Sequence, residues 1–89
     1  MNPRKRILIV DQEADLYLLM KTYFLRKNYE VYISQSCYEA FSLVEDCQPN
    51  IIFLSTAACQ NPDEDIAKIK ASVPNAEIII NDYNKLREV

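Results

Sequence analysis

The 89-residue sequence contains no glycine, no histidine and no tryptophan. Without glycine, the chain cannot build the Gly-rich loop that cradles a phosphate, which argues against a nucleotide- or flavin-binding protein of that kind. Without histidine, Cys37, Cys47 and Cys59 would have to bind zinc unaided, and they show no CxxC spacing. We therefore expect reduced thiols with mostly structural roles. Oxidation of Cys59, which falls in a predicted loop, is the less favoured alternative.

Long hydrophobic runs and a dominant positive charge are also missing. The apolar run at residues 7–10 ends at Asp11, far short of the roughly 7 to 15 residues of an export signal or the roughly 18 of a membrane span. The ten Lys and Arg are scattered apart from residues 4–6, and the net charge is −3. We therefore predict a cytoplasmic protein that binds neither membranes nor nucleic acid directly.

The composition and the pattern of apolar residues predict one globular domain over residues 1–89. The apolar fraction is 49% and the charged fraction 26%, as in ordinary globular proteins. Short apolar runs alternate with segments of helical periodicity. Strands are predicted at 6–10, 29–33, 50–54 and 77–80, and helices at 13–27, 37–47 and 62–73. Residues 82–89 can hold at most a turn or two of helix.

Local signals mark the helix ends. Asn28 follows the first helix, where a left-handed residue is expected. Ser36 and Glu39 have the spacing of a capping box, and Pro62 suits the first position of a helix. The apolar residues of the first helix recur at helical spacing: Leu16, Leu19, Met20, Tyr23 and Phe24.

The alternation of strands and helices predicts an α/β fold, a doubly wound parallel sheet with helices on both faces. In such three-layer sheets, functional groups gather just beyond the carboxyl ends of the strands. Here those positions are residues 11–13, 34–35, 55–56 and 81–82.

Residues 7–13, 29–31, 38–41 and 48–54, in this order and spacing, resemble the receiver domains of bacterial response regulators. The resemblance covers nearly the whole chain. It implies a CheY-like, flavodoxin-like fold with strand order 2-1-3-4, in which the fifth strand and the final helix are missing. In that family, strand-end acids bind magnesium and an aspartate ending the third strand accepts a phosphoryl group from a histidine kinase. A Thr or Ser ends the fourth strand and a lysine ends the fifth.

The chain departs from this pattern at the positions that carry the chemistry. The acidic pair becomes Asp11 and Gln12, Ser55 occupies the acceptor position, and Asn81 replaces the hydroxyl residue. The resemblance therefore implies a degenerate phosphoacceptor pocket formed by Asp11, Gln12, Ser55 and Asn81. We expect no catalytic residue and no cofactor. With two of three metal carboxylates absent, Asp11 is the one candidate ligand for a weakly held Mg²⁺.

The fourth strand is predicted to form an edge of the sheet. Glu77, Ile78, Ile79 and Ile80 would carry unpaired amides there, and an apolar edge strand invites pairing. The missing final helix should also expose an apolar patch beside the first helix. We predict a homodimer or strand exchange that buries this region.

The leading functional hypothesis is a non-enzymatic pseudo-receiver of two-component signalling that acts through protein contacts. Its partner would be a second copy, a histidine kinase or an output domain. One alternative is a phosphorelay receiver with a non-standard acceptor, Asp11 or Asp82. Another is a truncated fragment of a longer response regulator.

Overall fold

The computed structural model describes residues 3–89, so residues 1 and 2 of the predicted 1–89 domain lie outside the described residues. The strands are β1 (Arg6–Val10), β2 (Glu30–Ser34), β3 (Ile51–Leu54) and β4 (Glu77–Ile80). The α-helices are α1 (Ala14–Arg26), α2 (Cys37–Cys47) and α3 (Pro62–Ser72), and 3-10 turns occupy Thr56–Ala58 and Lys85–Glu88. Each predicted strand and helix is present, with boundaries that differ by no more than one residue. In residues 3–89 no helix combines the length and the apolar character needed to cross a bilayer.

The four strands form one parallel sheet in the order β2-β1-β3-β4, which confirms the predicted strand order. Alternate residues of β1 enter separate cores: Ile7 and Ile9 pack with α1, and Leu8 and Val10 pack with α2 and α3. Because both faces of the central strands are covered, β1 and β3 are almost continuously apolar, as buried parallel strands are.

The segment after β4 covers part of the α1 face of the sheet. Leu86 is buried in the α1-side core, and the ring of Tyr83 packs on Phe53 with 4.7 Å between centroids. Lys27 Nζ donates a hydrogen bond to the backbone oxygen of Val89, which holds this segment against the end of α1.

The apolar face of α1 is only partly buried. Met20 and Phe24 are buried, but Leu19 is 68% exposed and Tyr23 is also exposed. Helical periodicity identifies the apolar face, whereas burial also requires a neighbour to cover it. The segment at 82–89 covers the sheet and leaves the flank of α1 open as an apolar groove of about 290 Å³.

Among residues 3–89, three have left-handed backbone geometry: Asn28 (φ 66°), Gln48 (φ 47°) and Asn81 (φ 57°). The prediction for Asn28 is confirmed, and asparagine tolerates this region better than most residues do. At the start of α2, the Ser36 hydroxyl accepts from the Glu39 amide at 3.1 Å, as the capping motif predicts. The Glu39 carboxylate accepts from the amide of Gln35 at 3.1 Å, one residue earlier than expected.

The expectation of reduced thiols is wrong for two of the three cysteines. Cys37 and Cys59 form a disulfide that joins the first residue of α2 to the loop between the 3-10 turn and α3. Both belong to the core between the sheet and the α2–α3 layer, where packing brings together residues 22 positions apart. Cys47 is a buried free thiol, and burial raises its pKa.

Candidate functional site

The carboxyl ends of β1, β3 and β4 lie side by side. Val10 pairs with Leu54, and Leu54 pairs with Ile80, so the next residue of each strand falls at the same edge of the sheet. The ladder extends one residue further, because the Ser55 amide donates to the Val10 carbonyl at 2.9 Å and the Asn81 amide donates to the Leu54 carbonyl at 3.0 Å. Three predicted site residues, Asp11, Ser55 and Asn81, are therefore neighbours. The fourth, Gln12, is exposed at the entry to α1.

Asp11 is only 1% exposed, and both of its carboxylate oxygens accept hydrogen bonds. Oδ1 accepts from the Glu13 amide at 3.0 Å, and Oδ2 accepts from the Tyr83 hydroxyl at 3.0 Å. Tyr83 reaches this position because the chain turns back over the sheet after β4 and packs its ring on Phe53. The buried carboxylate is thus satisfied by the protein's own donors.

The Tyr83 hydroxyl is held in its neutral, donating form. Partial burial of the phenol, its hydrogen bond to Asp11 and the charges of Asp11 and Glu13 together raise the pKa of Tyr83 to about 12. At neutral pH the phenol therefore remains protonated and donates a charge-assisted hydrogen bond to the carboxylate.

Asn81 forms a two-point contact with the loop after β3. Its side-chain oxygen accepts from the Thr56 amide at 2.9 Å, and its amide nitrogen donates to Thr56 Oγ1 at 2.9 Å. Because the Asn81 backbone is left-handed, the chain turns sharply after β4 and its side chain reaches back to β3. The amide at the position that the resemblance assigns to a hydroxyl residue therefore joins two loops.

Ser55 acts as a strand-end residue. It is half-buried, its amide continues the sheet ladder, and its carbonyl accepts from the Ala58 amide at 3.0 Å to start the 3-10 turn. Among residues 3–89 no hydrogen bond joins the Ser55 hydroxyl to a carboxylate, and the sequence contains no histidine. A serine nucleophile needs an adjacent base, and none is positioned here.

The predicted interface strand has one paired edge and a mixture of side-chain environments. β4 pairs with β3, and in the described part of the chain no other strand pairs with it. Ile80 is 41% exposed and Glu77 is exposed, whereas Ile78 is partly buried and Ile79 is buried in the core. A partner at this edge would meet Ile80 and the free backbone groups of the strand. Ile79 would contribute through its backbone alone.

Sequence reasoning missed Tyr83, the residue that closes the pocket over Asp11. The two residues lie 72 positions apart, and no local pattern signals a contact over that distance. Thr56 was expected at a strand end. Its side-chain hydrogen bond with Asn81 depends on the left-handed turn after β4, which no sequence pattern predicted.

The sequence matches no protein-family model. It also matches no curated protein. Among solved structures, it is similar to the signal receiver domain of a modulated diguanylate cyclase from Desulfovibrio desulfuricans G20, described as an example of alternate folding. The TM-score is 0.75 at 20% sequence identity, over 94% of this chain and 72% of that one. The chain therefore has the receiver-like α/β fold that the resemblance implies, here with four strands.

Proposed function

We propose that this chain is a pseudo-receiver: a receiver-like signalling domain that acts in the cytoplasm through protein contacts, without phosphorylation of an aspartate and without enzymatic activity. The observation that carries the proposal is the closed arrangement around Asp11. Both oxygens of this carboxylate are occupied by the Glu13 amide and the Tyr83 hydroxyl. A Mg²⁺ ion at this carboxylate would have to share its oxygens with these two donors or displace them.

The neighbouring positions support the same conclusion. Magnesium is usually held by one or two carboxylates together with the phosphate oxygens, and Gln12 offers a neutral amide where the resemblance expects an acid. Ser55 cannot form an acyl phosphate, and Asn81 is engaged with Thr56. The domain requires no cofactor in this role.

In this role the domain would signal through its exposed surface. Leu18, Leu19 and Leu25 are exposed on α1, and Ile80 is exposed on the edge strand β4. Exposed apolar surface on a charged domain marks sites of protein association, and the bare edge of β4 separately invites strand pairing. We propose a second copy of the chain as the first partner, through β4 as a homodimer or by strand exchange. A histidine kinase or an output domain is the alternative partner.

The test is phosphorylation by acetyl phosphate with Mg²⁺, read by intact mass under conditions that preserve acyl phosphates. The proposal predicts that the wild-type chain gains no phosphoryl group. A triple variant, Gln12→Asp with Ser55→Asp and Tyr83→Phe, restores two acids and opens Asp11, and it should gain one. The same variant with Ser55→Asn in place of Ser55→Asp is the matched control and should stay unmodified.

A phosphoryl group on the wild-type chain would contradict the proposal. If that phosphoryl group were then absent from Asp11→Asn or from Asp82→Asn, the substituted aspartate would be a non-standard acceptor, and the phosphorelay alternative would be established. The side chain of Asp82 is exposed and accepts a hydrogen bond from the Lys85 amide at 3.1 Å, so the two variants remove carboxylates in different environments.

A further inference from the structure

The Cys37–Cys59 disulfide includes none of the residues of the pocket around Asp11, and its two cysteines have different surroundings. Cys37 is fully buried at the first position of α2, whereas Cys59 is only partly buried in a loop. The Ser36 cap satisfies the Glu39 amide, and the other first-turn amides of α2 point toward the start of the helix beside Cys37. The two ends of the bond are therefore chemically unequal.

A cavity adjoins the bond on its solvent side. It has a volume of about 290 Å³, and its walls include Cys37 itself together with Ala58 and Gln60, the two chain neighbours of Cys59. Asp65 also lines this cavity, and its carboxylate lies within 4.8 Å of both sulfurs. The space beside the bond can hold a small molecule or the side chain of a peptide residue.

We propose that this disulfide is a reversible thiol–disulfide exchange site, at which an incoming thiolate attacks Cys59 Sγ and Cys37 leaves as a thiolate. The attack forms a mixed disulfide between Cys59 and the incoming sulfur as the Cys37–Cys59 bond breaks. A second thiol then attacks the mixed disulfide and releases the external disulfide and the Cys59 thiolate. Two external thiols thus supply the two electrons and two protons that convert the pair to two thiols.

Burial and the helix dipole determine this direction of attack. Cys59 is the more exposed of the two cysteines and is the end that an external nucleophile can approach, whereas Cys37 is only 1% exposed although it lines the cavity. The Asp65 carboxylate lies near both sulfurs and opposes a thiolate on either one, so it does not decide which sulfur departs. Cys37 departs in preference because its thiolate forms at the positive end of α2, where the helix dipole stabilises a negative charge. Exchange is faster when the leaving thiolate is stabilised, so the same geometry that protects Cys37 from attack favours its departure.

Asp65 gives the site a preference among thiols. Its negative charge near the bond disfavours an anionic thiol and favours a cationic one. For charges about 5 Å apart in a water-like medium, Coulomb's law gives about a fourfold change in rate relative to a neutral thiol at low salt. We therefore assign the site to a neutral or cationic thiol, such as a cysteine flanked by basic residues, rather than to an anionic thiol.

The first experiment uses the wild-type chain. Oxidised protein is reacted briefly with cysteamine, a cationic thiol, then alkylated with iodoacetamide and mapped by peptide mass spectrometry. The expected result is cysteamine on Cys59 and the alkyl group on Cys37. Cysteamine on Cys37, the absence of a disulfide in air-purified protein, or reduction that occurs only in denaturant would each overturn the proposal.

The second experiment separates the sulfurs by substitution in a Cys47→Ser background, which removes the buried third thiol. With cystamine as the probe, Cys37→Ser should form the mixed disulfide on Cys59 at least tenfold faster than Cys59→Ser forms it on Cys37. Circular dichroism checks that both variants are folded.

In the wild-type chain, Asp65→Asn should abolish the preference for cysteamine over the anionic 2-mercaptoethanesulfonate. Equal rates for the two cysteine variants, or an unchanged preference in Asp65→Asn, would contradict the assigned roles.

Discussion

Deleting a single oxygen atom removes the hydrogen bond from Tyr83 to Asp11. Tyr83→Phe keeps the ring that packs on Phe53 and deletes the hydroxyl that donates to Asp11 Oδ2 at 3.0 Å. A hydrogen bond to a charged group contributes about 1.5 to 3 kcal/mol to the free energy of unfolding. Because Tyr83 is 40% exposed, water can partly replace it, and we expect the lower end, about 1.5 kcal/mol. For a domain of this size, that loss lowers Tm by roughly 6 to 12 °C.

The assay is urea and thermal unfolding at neutral pH, followed by circular dichroism. Tyr38→Phe is the matched control, since Tyr38 is 83% exposed and its loss of a hydroxyl should leave stability within about 0.3 kcal/mol of wild type. A double-mutant cycle isolates the contact, because Tyr83→Phe should cost much less in an Asp11→Asn background. An equal cost in both backgrounds, or no cost at all, would refute the role of this hydrogen bond in closing the pocket.

Three further predictions concern the titration of Tyr83, the left-handed residue after α1 and the edge strand β4. The pKa of Tyr83 is raised to about 12, so the contribution of this phenol to the free energy of unfolding is complete below pH about 10 and is lost as pH rises through about 12. Tyr83→Phe should therefore flatten the dependence of stability on pH in that range, and an unchanged dependence would contradict the prediction. Asn28→Ala should cost about 1 kcal/mol because φ is 66°, whereas Asn28→Gly should be near neutral in urea unfolding; equal effects would argue against a left-handed residue there. Ile80→Lys should shift sedimentation at micromolar concentration toward monomer while Tyr38→Lys does not, and a monomeric wild type would exclude pairing through β4.

Local sequence patterns predicted most of the fold. Continuous apolar runs located the buried strands, and Asn28, Ser36 and Pro62 marked helix ends that the structure contains. The strand order followed from the resemblance rather than from periodicity. The apolar spacing of α1 identified one face of the helix but not which of its residues the neighbouring segments cover, and Leu19 is exposed while Met20 is buried.

The sequence predicted where the candidate site lies but not that Tyr83 would cover Asp11. Strand register brings Asp11, Ser55 and Asn81 to one edge, which the rule for parallel sheets anticipates. The donor from Tyr83 and the Cys37–Cys59 bond depend on how loops distant in sequence pack together. Neither contact has a local signature, so both emerged only from the three-dimensional arrangement.

The most direct test of the pseudo-receiver proposal is an amide ¹H–¹⁵N NMR titration of the wild-type chain with millimolar Mg²⁺ and beryllofluoride. These reagents would report a working phosphoacceptor pocket at the residues around Asp11, Ser55 and Asn81. The closed hydrogen-bonding arrangement predicts that the amides of Glu13, Ser55 and Asn81 do not shift in a saturable way. Saturable shifts at these amides that require both Mg²⁺ and beryllofluoride would contradict the proposal.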